Sequence, residues 1–151
     1  MRGSRASPGG GEDPLVSFRF FLRLVRAALG GSWFQAPDHT ADSLATVYRN
    51  VKNRRAILVD VRERSEWEKF HVPGARLIPL SDILDDPLSL LDQSDIPSHQ
   101  IIYLHCQAGG RSRMAAYQLR DSGYELRPLK AGPQTIAEAF RRAESDGTDS
   151  E

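Results

Sequence analysis

The sequence has few of the residues that form disulfide bonds or bind metal ions in small proteins. Cys106 is the single cysteine in 151 residues, which excludes an internal disulfide and a cysteine-rich metal site. The four histidines are scattered without the spacing of metal ligands, so neither a metal nor another cofactor is predicted. No apolar run approaches the ~18 residues of a membrane-spanning helix. Formal net charge is zero, so the composition indicates no nucleic-acid partner.

Length and composition are those of one ordinary domain with short tails. An apolar content of 40% and a charged content of 26% are typical of a protein with a buried core. Residues 1–14 are rich in Gly, Ser, Arg and Pro and are expected to be disordered. Residues 144–151 form an acidic tail that is expected to be disordered as well. The domain itself is expected to cover residues 37–143.

Residues 15–36 are predicted to form a basic amphipathic helix and a linker. Apolar residues recur at helical spacing from Leu15 to Leu29, and Arg19, Arg23 and Arg26 share one face. Three interpretations stay open: the apolar stripe docks on the domain, the helix makes peripheral contact with a membrane or a partner, or it is an organelle-targeting peptide. A cytoplasmic location is expected, with membrane attachment or organelle targeting as the alternatives.

The lone cysteine lies between a predicted strand and a predicted helix. Residues 101–104 are mostly apolar with β-branched Ile at their head, which predicts a short buried strand. Two glycines follow Cys106, and a helical pattern begins after Arg111. A thiol in a tight loop that leads into a helix N-terminus is in surroundings that favour negative charge. The pKa of this thiol is therefore expected to fall below its usual value of about 8.5.

The remaining pattern alternates strands with helical segments, which predicts an α/β fold with an open parallel sheet flanked by helices on both faces. Predicted helix starts are Thr40, Ser65 and Pro133, and Gly123 is a predicted helix stop. Strands are expected at residues 56–61, 75–78 and 124–129, and one or two short helices at residues 79–93. The first of these strands is nearly all apolar, as expected of a central strand covered on both faces.

Two stretches resemble the signatures of the rhodanese family of sulfurtransferases. In that family a cysteine and an arginine bracket four residues of the active-site loop, as Cys106 and Arg111 do here. The second signature is an Asp-x-Arg strand end, then Glu-aromatic, then His-Ile-Pro-Gly-Ala. It is matched by Asp60 to Arg62, Glu66 to Trp67, and residues 71–75. The resemblance covers about residues 38–142 and implies a rhodanese-like three-layer architecture.

The resemblance implies transfer of sulfane sulfur through a persulfide on Cys106. The sulfur comes from a small-molecule donor such as thiosulfate and goes to cyanide, a thiol or a protein acceptor. Asp60 and Arg62 are then expected to brace the loop, or Arg62 to pair with Glu66, and His71 and His105 to have structural roles. Arg111 is expected to bind the oxyanion of the donor. The substrate-binding residues implied are Gln107, Ala108, Gly109, Gly110, Arg111 and Ser112.

Two other classes stay open at this point. A phosphatase or arsenate reductase of the same fold family has five residues between the cysteine and the arginine, whereas this loop has four. A non-catalytic rhodanese-like binding or regulatory module generally lacks the cysteine, which is present here. The chain also departs from the family pattern after its last predicted strand, where Leu-Lys-Ala-Gly at residues 129–132 replaces Leu-x-Gly-Gly.

Overall fold

The computed structural model describes residues 36–87, 89–93 and 95–148. The disordered segment predicted for residues 1–14 and the amphipathic helix predicted from Leu15 to Leu29 lie outside these residues. Residues 149–151 of the predicted acidic tail lie outside them too. None of the helices within the described ranges combines the length and the apolar content needed to cross a bilayer.

Strands and helices alternate along the described chain. In order they are α1 (Leu44–Lys52), β1 (Ala56–Asp60), α2 (Arg64–Lys69), β2 (Arg76–Leu77), α3 (Leu80–Asp85), α4 (Ser89–Gln93), β3 (Ile101–His105), α5 (Gly110–Gln118), β4 (Glu125–Pro128) and α6 (Pro133–Thr148). The alternation confirms the predicted α/β class, because each helix returns the chain to the start of the next parallel strand.

The sheet has four strands in the order β2-β1-β3-β4, and every pairing is parallel. The two central strands pair along their whole length, from Ala56 with Ile101 to Asp60 with His105. All strands therefore end at the same edge of the sheet, and Asp60 and His105 are adjacent there. In open parallel sheets, binding sites lie in the crevice at this edge.

The sheet is buried on both faces by two separate apolar clusters. One cluster joins Leu104 and Cys106 to Ile83 of α3, Leu91 of α4 and Ala115 of α5. The other joins Tyr103 and Leu58 to α1 and α6. Because side chains alternate across a strand, the even-numbered residues of β3 face the first cluster and Tyr103 faces the second. The predicted three-layer arrangement is confirmed.

Two helix starts differ from the sequence prediction. The N-cap of helix α1 is Ser43 rather than Thr40, because the Ser43 hydroxyl accepts from the Thr46 N–H at 3.2 Å. Helix α2 has a capping box, but its N-cap is Glu63 rather than Ser65, and the Glu66 carboxylate accepts from the Glu63 N–H at 3.1 Å. A glutamate at the N-cap does not follow the usual Ser/Thr pattern, so the sequence pointed to the nearest serine.

Two helix ends also differ. Helix α5 ends at Gln118, and Gly123 lies in the following turn with a φ of 80°. Helix α6 continues to Thr148, so the expectation of disorder from residue 144 onward is wrong for residues 144–148. The Ser145 hydroxyl donates to the carbonyls of Arg141 and Arg142, which ties the last turns together within one helix.

Candidate active site

Cys106 lies directly after β3, at the edge of the sheet where the parallel strands end. Its side chain packs into the apolar cluster formed with α3, α4 and α5, and the residue is only 1% exposed. It is the only cysteine and is a free thiol. The neighbouring loop residues Gln107 and Ala108 are exposed and form the outer rim of the site.

The loop after Cys106 turns back on the sulfur at Gly109. This residue has a φ of 92° and is the N-cap of α5. Its N–H donates to Cys106 Sγ at 3.1 Å. The predicted strand, loop and helix start are therefore present, with one loop N–H directed at the sulfur.

The outer side of the loop is held through the Gly109 carbonyl. His39 Nε2 donates to this carbonyl at 3.0 Å. The Ser112 hydroxyl, which is completely buried, lies 2.9 Å from the same oxygen and 2.8 Å from the Leu129 carbonyl. Both backbone groups of Gly109 are therefore hydrogen-bonded: its N–H donates to the Cys106 sulfur, and its carbonyl accepts from His39 and Ser112.

His39 reaches the loop because the chain before α1 is anchored to the sheet and to α5. The Thr40 N–H donates to the Pro128 carbonyl at 2.8 Å, and Arg113 Nε donates to the Pro37 carbonyl at 2.8 Å. Asp42 accepts from the Tyr103 hydroxyl at 2.6 Å. Sequence reasoning missed His39, because nothing in its local pattern indicates a partner 70 residues away.

Gly132 is a second residue whose role depends on the loop. A β-carbon at this position would lie 2.6 Å from the Gln107 carbonyl oxygen, a distance that β-carbons in proteins essentially never show. The connection from β4 to α6 therefore approaches the loop closely only because residue 132 has no side chain. The sequence shows that Gly132 is the last residue of the family pattern at residues 129–132. It does not show that this glycine lies against the Gln107 carbonyl.

Replacing Gly109 with alanine should destabilise the protein by about 2 kcal/mol or more. An alanine at a positive φ costs about 1–2 kcal/mol, and its β-carbon would lie 2.4 Å from His39 Nε2 and 3.0 Å from the Lys130 α-carbon. The measurement is urea unfolding. Gly110→Ala is the matched control, since a β-carbon there meets nothing within 4 Å. Equal stability of the two variants would contradict this account of the loop.

Arg111 is half-buried and forms a two-pronged ion pair with Glu66 of α2. Nη1 donates to Oε2 at 2.5 Å and Nη2 donates to Oε1 at 2.8 Å. The hydrogen bonds from Arg111 lower the pKa of Glu66 to about 2, and those to Glu66 raise the pKa of Arg111. A lowered pKa means that this pair stabilises the fold above the unfolded-state pKa of a glutamate and loses its effect as pH falls toward 2.

Arg62 pairs with Asp60 rather than with Glu66. Arg62 Nη2 donates to Asp60 Oδ2 at 2.7 Å, and both side chains are almost fully buried. Arg62 also donates to the Phe70 carbonyl at 2.7 Å, which fixes the end of α2. The alternative in which Arg62 pairs with Glu66 is therefore wrong. These contacts hold α2 in place rather than the loop itself. Helix α2 in turn carries Glu66, which contacts the loop through its ion pair with Arg111.

His105 is completely buried, and neither ring nitrogen has a hydrogen-bond partner among the described residues. Burial lowers its pKa, an effect that the nearby Asp60 partly opposes. His105 Nε2 lies 3.7 Å from Asp60 Oδ2, too far for a hydrogen bond.

The second histidine of the predicted structural pair, His71, stacks on Trp67 with ring centres 3.8 Å apart, and its Nδ1 donates to the Trp67 carbonyl at 3.0 Å.

No group of three or more His, Cys, Asp or Glu side chains suited to a metal ion occurs among residues 36–87, 89–93 and 95–148.

The fold and the site define a class of protein in which a buried cysteine follows a central parallel strand and is enclosed by a short loop and a helix N-terminus. The family model described as a rhodanese-like domain matches residues 43–138. The chain belongs to the rhodanese-like domain family.

Relatives in curated and solved proteins agree with this family. YqhL of Bacillus subtilis, whose function is uncharacterised, is 41% identical over 80 residues, covering 52% of this chain and 59% of YqhL. The adenylyltransferase and sulfurtransferase UBA4 of Meyerozyma guilliermondii is 32% identical over 88 residues, covering 56% of this chain and 21% of UBA4. The human single-domain sulfurtransferase TSTD1 is 28% identical in structure comparison with a TM-score of 0.51, covering 64% of this chain and 94% of TSTD1.

Proposed function

We propose that this protein is a sulfurtransferase that carries sulfane sulfur on Cys106. The observation that carries the proposal is the Gly109 N–H, which donates to Cys106 Sγ at 3.1 Å at the end of a central parallel strand. A preorganised donor at this place stabilises negative charge on the attacking sulfur and on the persulfide that follows. The names of UBA4 and TSTD1, both sulfurtransferases, support the same chemistry.

The reaction has two steps. The Cys106 thiolate attacks the outer sulfur of the donor, the bond between the donor's sulfur atoms breaks, and the leaving group departs with the electron pair. With thiosulfate the leaving group is sulfite. An acceptor nucleophile, such as cyanide, a thiol or a cysteine of a partner protein, then takes the outer sulfur and regenerates the thiolate. Because Cys106 is 1% exposed, the narrow terminal sulfur of a donor fits the approach better than a bulky group.

Intact-mass measurement tests the proposal directly. After incubation with thiosulfate or glutathione persulfide, the protein should gain the mass of one sulfur atom, and cyanide should remove it as thiocyanate. Protein alkylated at Cys106 beforehand is the control and should gain none. Absence of the added sulfur with both donors would overturn the proposal.

An assay of the same preparation with an aryl phosphate distinguishes a sulfurtransferase from a phosphatase and from a non-catalytic binding module. A tetrahedral phosphoryl group has three peripheral oxygens and needs a wider cradle than four residues between the cysteine and the arginine provide. No hydrolysis of aryl phosphates is therefore expected. Turnover of an aryl phosphate without sulfur transfer would favour a phosphatase, and neither activity would favour a binding module.

A further inference from the structure

Three donors surround the Gly109 carbonyl among the described residues, and the one from outside α5 is His39. The Arg113 N–H, within α5, lies at 3.4 Å, which is long for a hydrogen bond. The Ser112 hydroxyl carries a single hydrogen and lies 2.9 Å from this oxygen but 2.8 Å from the Leu129 carbonyl, so its donation is divided between them. His39 Nε2 lies at 3.0 Å and faces an oxygen that can only accept. The position of this carbonyl therefore depends on His39.

Gly109 needs an outside contact because it has no side chain to hold its backbone. Its φ of 92° is one of several conformations that a glycine adopts with little strain. Its N–H and its carbonyl belong to the two peptide units that meet at the α-carbon, so rotation there moves one relative to the other. A β-carbon on Gly109 would lie 2.4 Å from His39 Nε2 and 3.0 Å from the Lys130 α-carbon. The imidazole therefore occupies the space of the missing side chain and restricts this rotation.

The segment before α1 that carries His39 is itself anchored to the sheet. On one side of His39, the Thr40 N–H donates to the carbonyl of Pro128, the last residue of β4, at 2.8 Å. Further on, the Asp42 carboxylate accepts from the Tyr103 hydroxyl of β3 at 2.6 Å. The cysteine follows that same strand. His39 therefore fixes Gly109 relative to the sheet that carries the sulfur, whereas the donors within α5 fix it only relative to the helix.

We propose that His39 is a positioning residue for sulfur transfer, which holds the Gly109 carbonyl and thereby keeps the Gly109 N–H directed at Cys106 Sγ. The inference rests on the proposed sulfurtransferase function and adds a residue to its site. His39 lies outside both stretches that resemble the family signatures, and it precedes residues 43–138, which the family model matches.

The size of the effect follows from how such donors work. A hydrogen-bond donor lowers the barrier of a reaction when it is already in place as charge develops on the reacting atoms. Misplacement of a reacting group by about 1 Å can cost about a hundredfold in rate. The N–H of Gly109 lies 3.1 Å from Sγ, so a modest rotation of the glycine would remove it from the sulfur. His39 does not need to contact the donor molecule to affect turnover.

Three substitutions of His39 separate its hydrogen bond from its packing. His39→Ala removes both, His39→Leu keeps apolar bulk without a donor, and His39→Gln keeps an amide N–H at a similar distance from the backbone. With thiosulfate and with glutathione persulfide, kcat should fall at least about tenfold in the alanine and leucine variants. The KM should stay unchanged, because His39 acts on the sulfur rather than on donor binding. Glutamine should restore most of kcat.

The matched control is Asp38→Ala. Asp38 is the neighbouring residue, its side chain is exposed, and its distance to Arg113 is 3.7 Å. Both kcat and KM should stay at their native values in this variant. All rates are divided by the concentration of folded protein, which urea unfolding provides. If His39 only stabilised the fold, the free energy of unfolding would fall while kcat per folded molecule stayed native, and that result would overturn the inference.

The remaining outcomes also decide the question. A kcat for His39→Gln as low as that for His39→Leu would contradict the role given to the hydrogen bond. Native kcat in either the alanine or the leucine variant would contradict it too. If neither of these variants folds while His39→Gln does, His39 is needed for the fold itself and the inference is overturned.

Hydrogen exchange measured by NMR tests the position of the Gly109 N–H without any sulfur transfer. This amide should exchange at least about tenfold faster in His39→Leu than in the native protein, a local loss of protection. The amide of Leu104, a buried residue of β3, should exchange equally in both. Equal protection of Gly109 in the two proteins would overturn the inference. A native protein that gains no sulfur from either donor would instead overturn the proposed function, so the two failures are distinguishable.

Discussion

Replacing Cys106 with serine should abolish sulfur transfer while leaving the fold intact. A serine hydroxyl is not ionised at neutral pH and cannot carry sulfane sulfur, so the rate should fall at least about a thousandfold. The substitution is nearly isosteric, and the new oxygen can still accept from the Gly109 N–H that now contacts Sγ. The loss of stability should therefore stay at about 1–2 kcal/mol.

The measurement combines thiocyanate production with intact mass after incubation with glutathione persulfide. Urea unfolding of the same preparation serves as the control for folding. Activity near that of the native protein, or a gain of one sulfur atom by the serine variant, would remove Cys106 from the mechanism. A loss of activity accompanied by unfolding would be resolved by Cys106→Ala, which introduces no buried hydroxyl.

Replacing Asp60 with alanine should destabilise the protein by about 3–5 kcal/mol, the usual effect of leaving a buried charge without its partner. Arg62 is only 3% exposed. It loses the contacts at 2.7 and 3.0 Å that its guanidinium makes to the Asp60 carboxylate, and its backbone N–H loses another at 2.9 Å. Its remaining contact with the Phe70 carbonyl cannot balance the charge.

Urea unfolding measures this effect, and Glu138→Ala supplies the comparison. Glu138 pairs with Arg142 on the exposed surface of α6. A surface pair of this kind contributes at most about 0.5 kcal/mol. If Asp60→Ala costs no more than Glu138→Ala, the buried pair does not hold the end of β1 to α2. The double variant Asp60→Leu with Arg62→Met should recover much of the loss, since it removes both charges together.

The prediction of Arg111 as an anion-binding residue illustrates how a sequence motif can be incomplete. A cation in the first turn of a helix opposes the helix dipole and needs a nearby anion. The sequence places Arg111 in such a first turn but does not identify the anion. The structure supplies it from α2, through a carboxylate that sequence analysis had considered as a partner for Arg62. Arg62 is paired with Asp60 instead, so each of the two arginines has its own carboxylate.

The sequence by itself determined the features that depend on near neighbours. The apolar run of residues 101–104, the two glycines after Cys106 and the helical pattern beyond them were enough to place the sulfur between β3 and α5. The regular alternation of strands and helices was enough to predict a parallel sheet, because a helix between two strands carries the chain back to the same end. Such patterns repeat within one element and need no knowledge of distant parts.

Only the tertiary structure decided which distant side chains meet at the loop. His39 contacts the Gly109 carbonyl across 70 residues, and Glu66 contacts Arg111 across 45. Gly132 makes room for the Gln107 carbonyl. These contacts follow from the strand order and from the register that sets Asp60 beside His105, which bring separate connections to one edge of the sheet. Local periodicity carries no information about that order. The sequence was therefore enough to select Cys106 as the candidate nucleophile, whereas the order of the strands determined which residues surround it.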